Sequence, residues 1–119
     1  MRLNLQSPRC KRLLGVLLTI YWIGLFIGTH MPMPAGALPG GSDKLVHFVA
    51  YCGLACLLGL VRGPQKWASS LTIVVVFAVV DEFLQIPMGR SCEVADGLAD
   101  WLGAAAGTGL SVGICRRLS

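Results

Sequence analysis

The residues of this chain that are able to carry chemistry fall into two polar strings, each beside a long apolar run. The first string is Asp43, Lys44, His47 and Tyr51, and the second is Asp81, Glu82, Gln85, Arg90, Ser91, Asp96 and Asp100. Ionisable groups next to hydrocarbon are costly, so they are normally paired and mark ligand, ion or proton sites. All six acids of the chain lie in these strings or between their members. Any polar site is therefore expected here.

Helical spacing would turn each string into a polar face. Asp43, His47 and Tyr51 are four residues apart, which places them on one face of a helix. The other helical spacings are Asp81 to Gln85, Glu82 to Gln85, and Asp96 to Asp100 followed by Gly103 and Gly107. Three helices would thus direct polar side chains into one shared volume.

An anionic ligand is one candidate for that volume. Lys44 and Arg90 would hold it, since both side chains donate hydrogen bonds to phosphate. The structural alternative is a buried ion-pair network that locks the helices together. In that case Arg90 would pair with Asp96 or Glu82, and Lys44 with Asp81.

Proton exchange is a second candidate chemistry. His47, Glu82 and Asp96 are the candidate catalytic residues, with His47 oriented by Asp43 and opposed by Glu82. Ser91 has no evident activating partner, so no nucleophile is predicted. These residues do not decide whether the protein is an enzyme.

A metal site is a more specific interpretation of the same cluster. His47 with Asp43, Glu82, Asp96 or Asp100 supplies one nitrogen and several oxygens, compatible with zinc or a harder divalent ion. A single histidine without an HExxH motif is weak evidence. We therefore predict no metal site and assign no cofactor.

The composition indicates a lipid environment. The 119 residues allow one domain, 55% of them are hydrophobic and 13% charged, and the mean hydropathy is +0.69. A soluble domain of this size could not bury so much apolar surface. The basic residues flank the apolar segments in small groups, which is typical of a membrane protein and argues against a nucleic-acid partner.

Four apolar segments predict an all-α bundle of four transmembrane helices in one domain, 1–119. The predicted spans are 13–29, 45–61, 67–84 and 98–115. Each is near the lower limit of length for crossing the bilayer, where the backbone must satisfy its own hydrogen bonds.

The charge bias predicts the orientation in the membrane. One side of the predicted bundle carries Arg2, Arg9, Lys11, Arg12, Arg62, Lys66, Arg116 and Arg117. Basic segments stay in the cytoplasm, so both termini should be cytoplasmic and the polar cluster extracytoplasmic, in the bacterial inner membrane. Cleavage after the small residues Ala35-Gly36-Ala37, as in a signal peptide, is an alternative that leaves the other spans unchanged.

Small residues predict close helix packing. The pairs are Gly24 and Gly28, Gly103 and Gly107, and Gly109 and Gly113. Helices in lipid associate where small side chains let their backbones approach. We expect packing within the bundle, with a homodimer through one of these faces as the second option.

The ordered motifs resemble the VanZ-like family of small integral membrane proteins. They are Asp43-Lys44-x-x-His47-x-x-x-Tyr51, Asp81-Glu82-x-x-Gln85, Gly89-Arg90 and Asp96-x-x-x-Asp100-x-x-Gly103-x-x-x-Gly107. The family usually has Asn where this chain has Asp100. The resemblance covers residues 43–107, more than half the chain.

The resemblance implies a four-span membrane protein connected with the cell envelope. The founding member is associated with low-level resistance to teicoplanin, a glycopeptide that binds cell-wall precursors outside the membrane. We therefore expect the polar cluster to bind a membrane lipid or lipid-linked envelope precursor. The alternatives are a non-enzymatic assembly protein and a small proton-coupled transporter, for which the chain is short unless it dimerises.

Overall fold

The computed structural model of the chain describes residues 4–31, 42–88 and 94–118. The helices are α1 (Pro8–His30), α2 (Ser42–Arg62), α3 (Trp67–Gln85) and α4 (Val94–Leu118), with 3-10 turns at Pro64–Lys66 and Ile86–Met88. The described residues contain no strand, and each of the four helices is long and apolar enough to cross a membrane. The prediction of an all-α bundle with four transmembrane helices is confirmed.

The helices extend beyond the apolar spans predicted from the sequence. Helix α2 begins at Ser42 rather than at residue 45, and α4 begins at Val94 rather than at residue 98. Backbone hydrogen bonds continue through polar residues, so hydropathy alone underestimates helix length. As a result, Asp43 and Asp96 lie in the first turns of their helices.

Helices α2 and α4 run parallel and form the most extensive contact of the bundle. Gly103 and Gly107 allow it, because a Cβ at either position would clash with the backbone carbonyl of Phe48 or Cys52. Such close backbone contact at small residues is the main route to helix association in lipid. The packing holds the first turns of α2 and α4 side by side.

Helix α1 is packed more loosely on the other three. Leu25 is its buried residue, the Tyr21 hydroxyl donates to the Ala50 carbonyl at 2.7 Å, and the Trp22 ring meets Phe77 edge to face at 5.3 Å. Its exposed large apolar side chains include Leu13, Val16, Leu17, Ile20, Ile23 and Ile27. In a bilayer this surface would contact lipid.

The two ends of the bundle differ in charge. We name the end where α1 and α3 finish and α2 and α4 start the polar end, because it carries the acids of the two strings. The opposite, basic end carries Arg9, Lys11, Arg12, Arg62, Lys66, Arg116 and Arg117. There Arg62 donates to the hydroxyls of Ser69 and Ser70, at 2.8 and 3.0 Å.

Candidate functional site

The described members of both polar strings lie together at the polar end. Helix α2 contributes Asp43, Lys44, His47 and Tyr51, α3 contributes Asp81, Glu82 and Gln85, and α4 contributes Asp96 and Asp100. Arg90, Ser91 and the segment Ala35-Gly36-Ala37 lie outside the described residues. The side chains form three groups, which we call the Asp81 network, the triad and the rim.

The Asp81 network is centred on a fully buried carboxylate. Oδ2 accepts hydrogen bonds from the Tyr51 hydroxyl at 2.9 Å and from Gln85 Nε2 at 3.1 Å. Thr29 Oγ1 lies 3.0 Å from Oδ1 and also 3.0 Å from the carbonyl of Phe26, so its single proton serves one acceptor at a time. Both oxygens of Asp81 thus have donors from the protein, and the network joins α1, α2 and α3.

The contribution of α1 to this network was missed by sequence reasoning. His30 lies just after the predicted span 13–29 and is the last residue of α1. Its Nδ1 lies 2.8 Å from the carbonyl of Phe26 and 3.5 Å from Asp81 Oδ1. Thr29 and His30 are polar residues at the end of the first apolar run, and that position was the available signal.

The triad consists of His47, Glu82 and Asp100, all buried. His47 Nδ1 lies 2.8 Å from Asp100 Oδ1 and 3.8 Å from Glu82 Oε1. The hypothesis that Asp43 orients His47 is therefore wrong, because the hydrogen-bonded carboxylate is Asp100. The reason is the close contact of α2 and α4, which brings the two side chains together across the interface.

The carboxylates of the triad differ from Asp81 in their partners. Neither Oε1 nor Oε2 of Glu82 has a hydrogen-bond partner among the described residues, and the same holds for Asp100 Oδ2. Glu82 is 5% exposed and Asp100 0%. Burying a charged oxygen without donors costs several kcal/mol in order of magnitude, so these oxygens call for protonation or an additional partner.

The rim consists of Asp43, Lys44 and Asp96. Lys44 Nζ lies 3.3 Å from Asp43 Oδ2 and 3.6 Å from Asp96 Oδ1, linking the first turns of α2 and α4. The expected pair of Lys44 with Asp81 is not formed between these described residues, since Asp81 lies deeper and takes its hydrogen bonds from Tyr51 and its neighbours. The side chains of Lys44 and Asp43 are each 42% exposed, so a ligand at the surface can reach them.

A cavity of about 410 Å³ opens between α1 and α2 beside these groups. Thr29, Asp43, His47 and Tyr51 form its polar part. The rest of its lining is Tyr21, Gly24, Leu25, Gly28, Val46 and Ala50. A Cβ at Gly24 or Gly28 would meet no atom within 4 Å, so these glycines widen the cavity instead of closing a helix contact.

A smaller cavity of about 240 Å³ lies on the other side of the triad, between α3 and α4. It is apolar apart from Glu82, and its other lining residues include Phe83, Leu98 and Trp101. His47 therefore borders one cavity and Glu82 the other.

Comparison with protein families identifies the chain. The model of the VanZ/LLP1 family matches residues 12–116, which include every described residue of the three groups. The chain belongs to the VanZ/LLP1 family. Membership of VanZ/LLP1 together with the four apolar helices makes it a multi-pass membrane protein, as its motifs predicted. No curated protein and no solved structure matches the chain.

Proposed function

We propose that this VanZ/LLP1 protein binds an amphipathic lipid or lipid-linked precursor of the bacterial cell envelope at the outer leaflet of the cytoplasmic membrane. The observation that carries the proposal is the cavity between α1 and α2. It joins an apolar trough to a set of polar side chains, which is the form that a lipid with a polar headgroup requires.

The apolar trough suits an acyl or prenyl chain. Gly24 and Gly28 leave a channel along α1, and Val46 and Ala50 form the facing wall on α2. A chain lying there would fill the space beside the glycines and gain van der Waals contacts with the loosely packed α1, which drive association inside a bilayer.

The polar part of the cavity suits a headgroup with hydroxyl and phosphate groups. Thr29, Asp43 and His47 offer hydrogen-bonding groups to hydroxyls at the mouth of the trough. Lys44, half exposed beside Asp43, supplies a positive charge for phosphate. Arg90, by its position between α3 and α4 in the sequence, is the second cation that we assign to the anion.

The orientation proposed for this ligand follows from the charge of the two ends. Basic residues are retained on the cytoplasmic side of membranes, and the basic end is opposite to the cavity's polar part. The headgroup would therefore lie at the extracytoplasmic face. Glycopeptides of the teicoplanin type act on that face, and an effect on resistance through a shared precursor is part of the proposal.

The test is to fill the trough and measure the retained lipid. Gly28→Leu and Gly24→Leu place a side chain in the open space of the cavity, so the protein should fold while losing the ligand. Gly15→Leu is the matched control, because Gly15 also lies on α1 with no atom within 4 Å of its Cβ position, but does not line the cavity.

Native mass spectrometry of protein purified gently from its own membrane is the readout. We expect the wild type and Gly15→Leu to keep a specific lipid and the two cavity variants to lose it. Equal retention by folded Gly28→Leu and the wild type would contradict the proposal. The polar headgroup is tested separately with Lys44→Gln, which should weaken retention of a phosphorylated lipid.

A structural role for the polar end is the second candidate, and the Asp81 network favours it. Asp81 accepts hydrogen bonds from Tyr51, Gln85 and Thr29. This is expected of a side chain that holds three helices together. If the whole cluster serves this purpose, His47→Ala and Glu82→Gln should lower the yield of folded protein. If the cluster binds a ligand, both variants should fold normally and lose the ligand or the phenotype.

A further inference from the structure

We propose that His47, Glu82 and Asp100 bind one divalent cation of the zinc or manganese class inside the polar end. This site shares His47 with the proposed lipid site, but its oxygen ligands belong to Glu82 and Asp100, and it can be tested without any lipid. It also departs from the sequence-based expectation of no metal site, since the sequence did not reveal which acids surround His47.

The donor atoms of the three side chains converge. His47 from α2, Glu82 from α3 and Asp100 from α4 each offer one ligand atom, and these atoms lie within 4.8 Å of one another. Ligands of one tetrahedral zinc ion lie roughly 3.5 Å apart at bond lengths of about 2.0–2.2 Å. Side-chain movements of the order of 1 Å would complete the site, with bonds to the ion replacing the 2.8 Å hydrogen bond between His47 and Asp100.

The carboxylate of Glu82 is buried without a hydrogen-bond partner among the described residues. The residue is 5% exposed, its Oε1 lies 3.8 Å from His47 Nδ1, and neither of its oxygens has a hydrogen-bond partner among the described residues. Asp100 Oδ2 is in the same condition. A buried carboxylate normally accepts several hydrogen bonds, as Asp81 does from Tyr51, Gln85 and Thr29. The triad therefore contains oxygens that are able to bind a further partner.

The charges of the triad also match a divalent cation. A neutral imidazole and two carboxylates carry two negative charges, which one divalent cation neutralises. The nearby cation Lys44 pairs with Asp43 and Asp96 at the rim. An imidazole nitrogen combined with carboxylate oxygens favours zinc or manganese over calcium, which takes oxygen ligands.

Access to the triad is provided from both sides. Glu82 borders the cavity between α3 and α4, and His47 borders the larger cavity between α1 and α2. Three protein ligands leave a coordination position for water, as in zinc sites that remain open to substrate.

The experiment is a titration of the purified protein, without a histidine tag and stripped with a chelator, with Zn²⁺ and Mn²⁺. Calorimetry gives stoichiometry and Kd, and thermal unfolding in the same detergent gives Tm. The variants are Glu82→Gln and Asp100→Asn, which remove charge at constant size. Asp43→Asn is the control, since it removes a carboxylate from the same end of the bundle but outside the triad.

We expect one ion per chain for the wild type and for Asp43→Asn, with a rise in Tm. Each triad variant should weaken the affinity roughly tenfold or more and lose the rise in Tm. If Asp100→Asn fails to fold because His47 loses its partner, Glu82→Gln carries the test. Unchanged binding of the ion by folded Glu82→Gln would overturn the proposal. A wild type that binds neither ion would also overturn it, and the buried Glu82 would then be assigned a proton instead.

Discussion

Two glycine pairs of this protein have the same spacing and opposite surroundings. Gly103 and Gly107 on α4 lie against the backbone of α2, where an added Cβ would clash with a carbonyl oxygen. Gly24 and Gly28 on α1 face a cavity in which an added Cβ would touch nothing. A small-residue motif therefore predicts a lack of side-chain volume, and the neighbouring helix decides whether this volume is filled.

The same contrast separates the two kinds of polar contact. Across the close interface of α2 and α4, His47 and Asp100 are in direct contact at 2.8 Å. Across the looser interface of α1 and α2, His47 and Thr29 line a cavity large enough for part of a ligand. One interface positions the side chains and the other leaves them accessible.

The largest effect is expected from filling the close interface. Gly107→Val would push its side chain into the Cys52 carbonyl, and a backbone atom cannot rotate away. Overpacking costs about 1–3 kcal/mol and more when the backbone must move. We expect most of the protein to be lost from the monodisperse fraction in size-exclusion chromatography.

The matched change on the open side is Gly24→Val, which should leave the folded yield close to that of the wild type. A folded Gly107→Val variant with unchanged Tm would show that α2 and α4 are not in close contact, and it would remove the basis for the triad.

An intermediate effect is expected from Tyr51→Phe. The change removes a hydrogen bond to a buried carboxylate, worth about 1.5–3 kcal/mol, whereas Tyr21→Phe removes one to a neutral carbonyl, worth about 0.5–1.5 kcal/mol. Reversible unfolding in mixed micelles should therefore show a larger loss for Tyr51→Phe. A larger loss of unfolding free energy for Tyr21→Phe than for Tyr51→Phe would mean that Asp81 does not accept the hydrogen bond of Tyr51.

The smallest effects are expected from alanine at the open glycines. Gly24→Ala and Gly109→Ala meet no atom within 4 Å and should raise the free energy of unfolding by about 0.5–1 kcal/mol, because alanine loses less backbone entropy in a helix. If either variant instead weakened self-association in light scattering, that glycine face would be the homodimer contact that the sequence left as an option.

Much of the fold was predictable because its signals are local. Apolar runs of span length predicted all four helices, and the four-residue spacing of Asp43, His47 and Tyr51 placed them on one face of α2. The helix ends were less accurate, since the apolar run of the fourth segment begins at residue 98 whereas α4 begins at Val94.

The pairings within the site were harder to predict. Asp43 was the nearest carboxylate to His47 along α2, yet Asp100 bonds it. Lys44 was expected near Asp81, yet it lies at the rim with Asp43 and Asp96. Both errors concern the depth and rotation of one helix relative to another. The spacing of residues within a single helix carries no information about these quantities.

The sequence by itself determined the number of helices, the grouping of the acids at one end and the positions that lack side-chain volume. These follow from hydropathy, charge and the helical period, which are properties of single segments. Only the tertiary structure decided that Gly107 closes an interface while Gly28 opens a cavity, and that Glu82 and Asp100 face His47. Such choices depend on how neighbouring helices interlock, because each contact requires two surfaces at once.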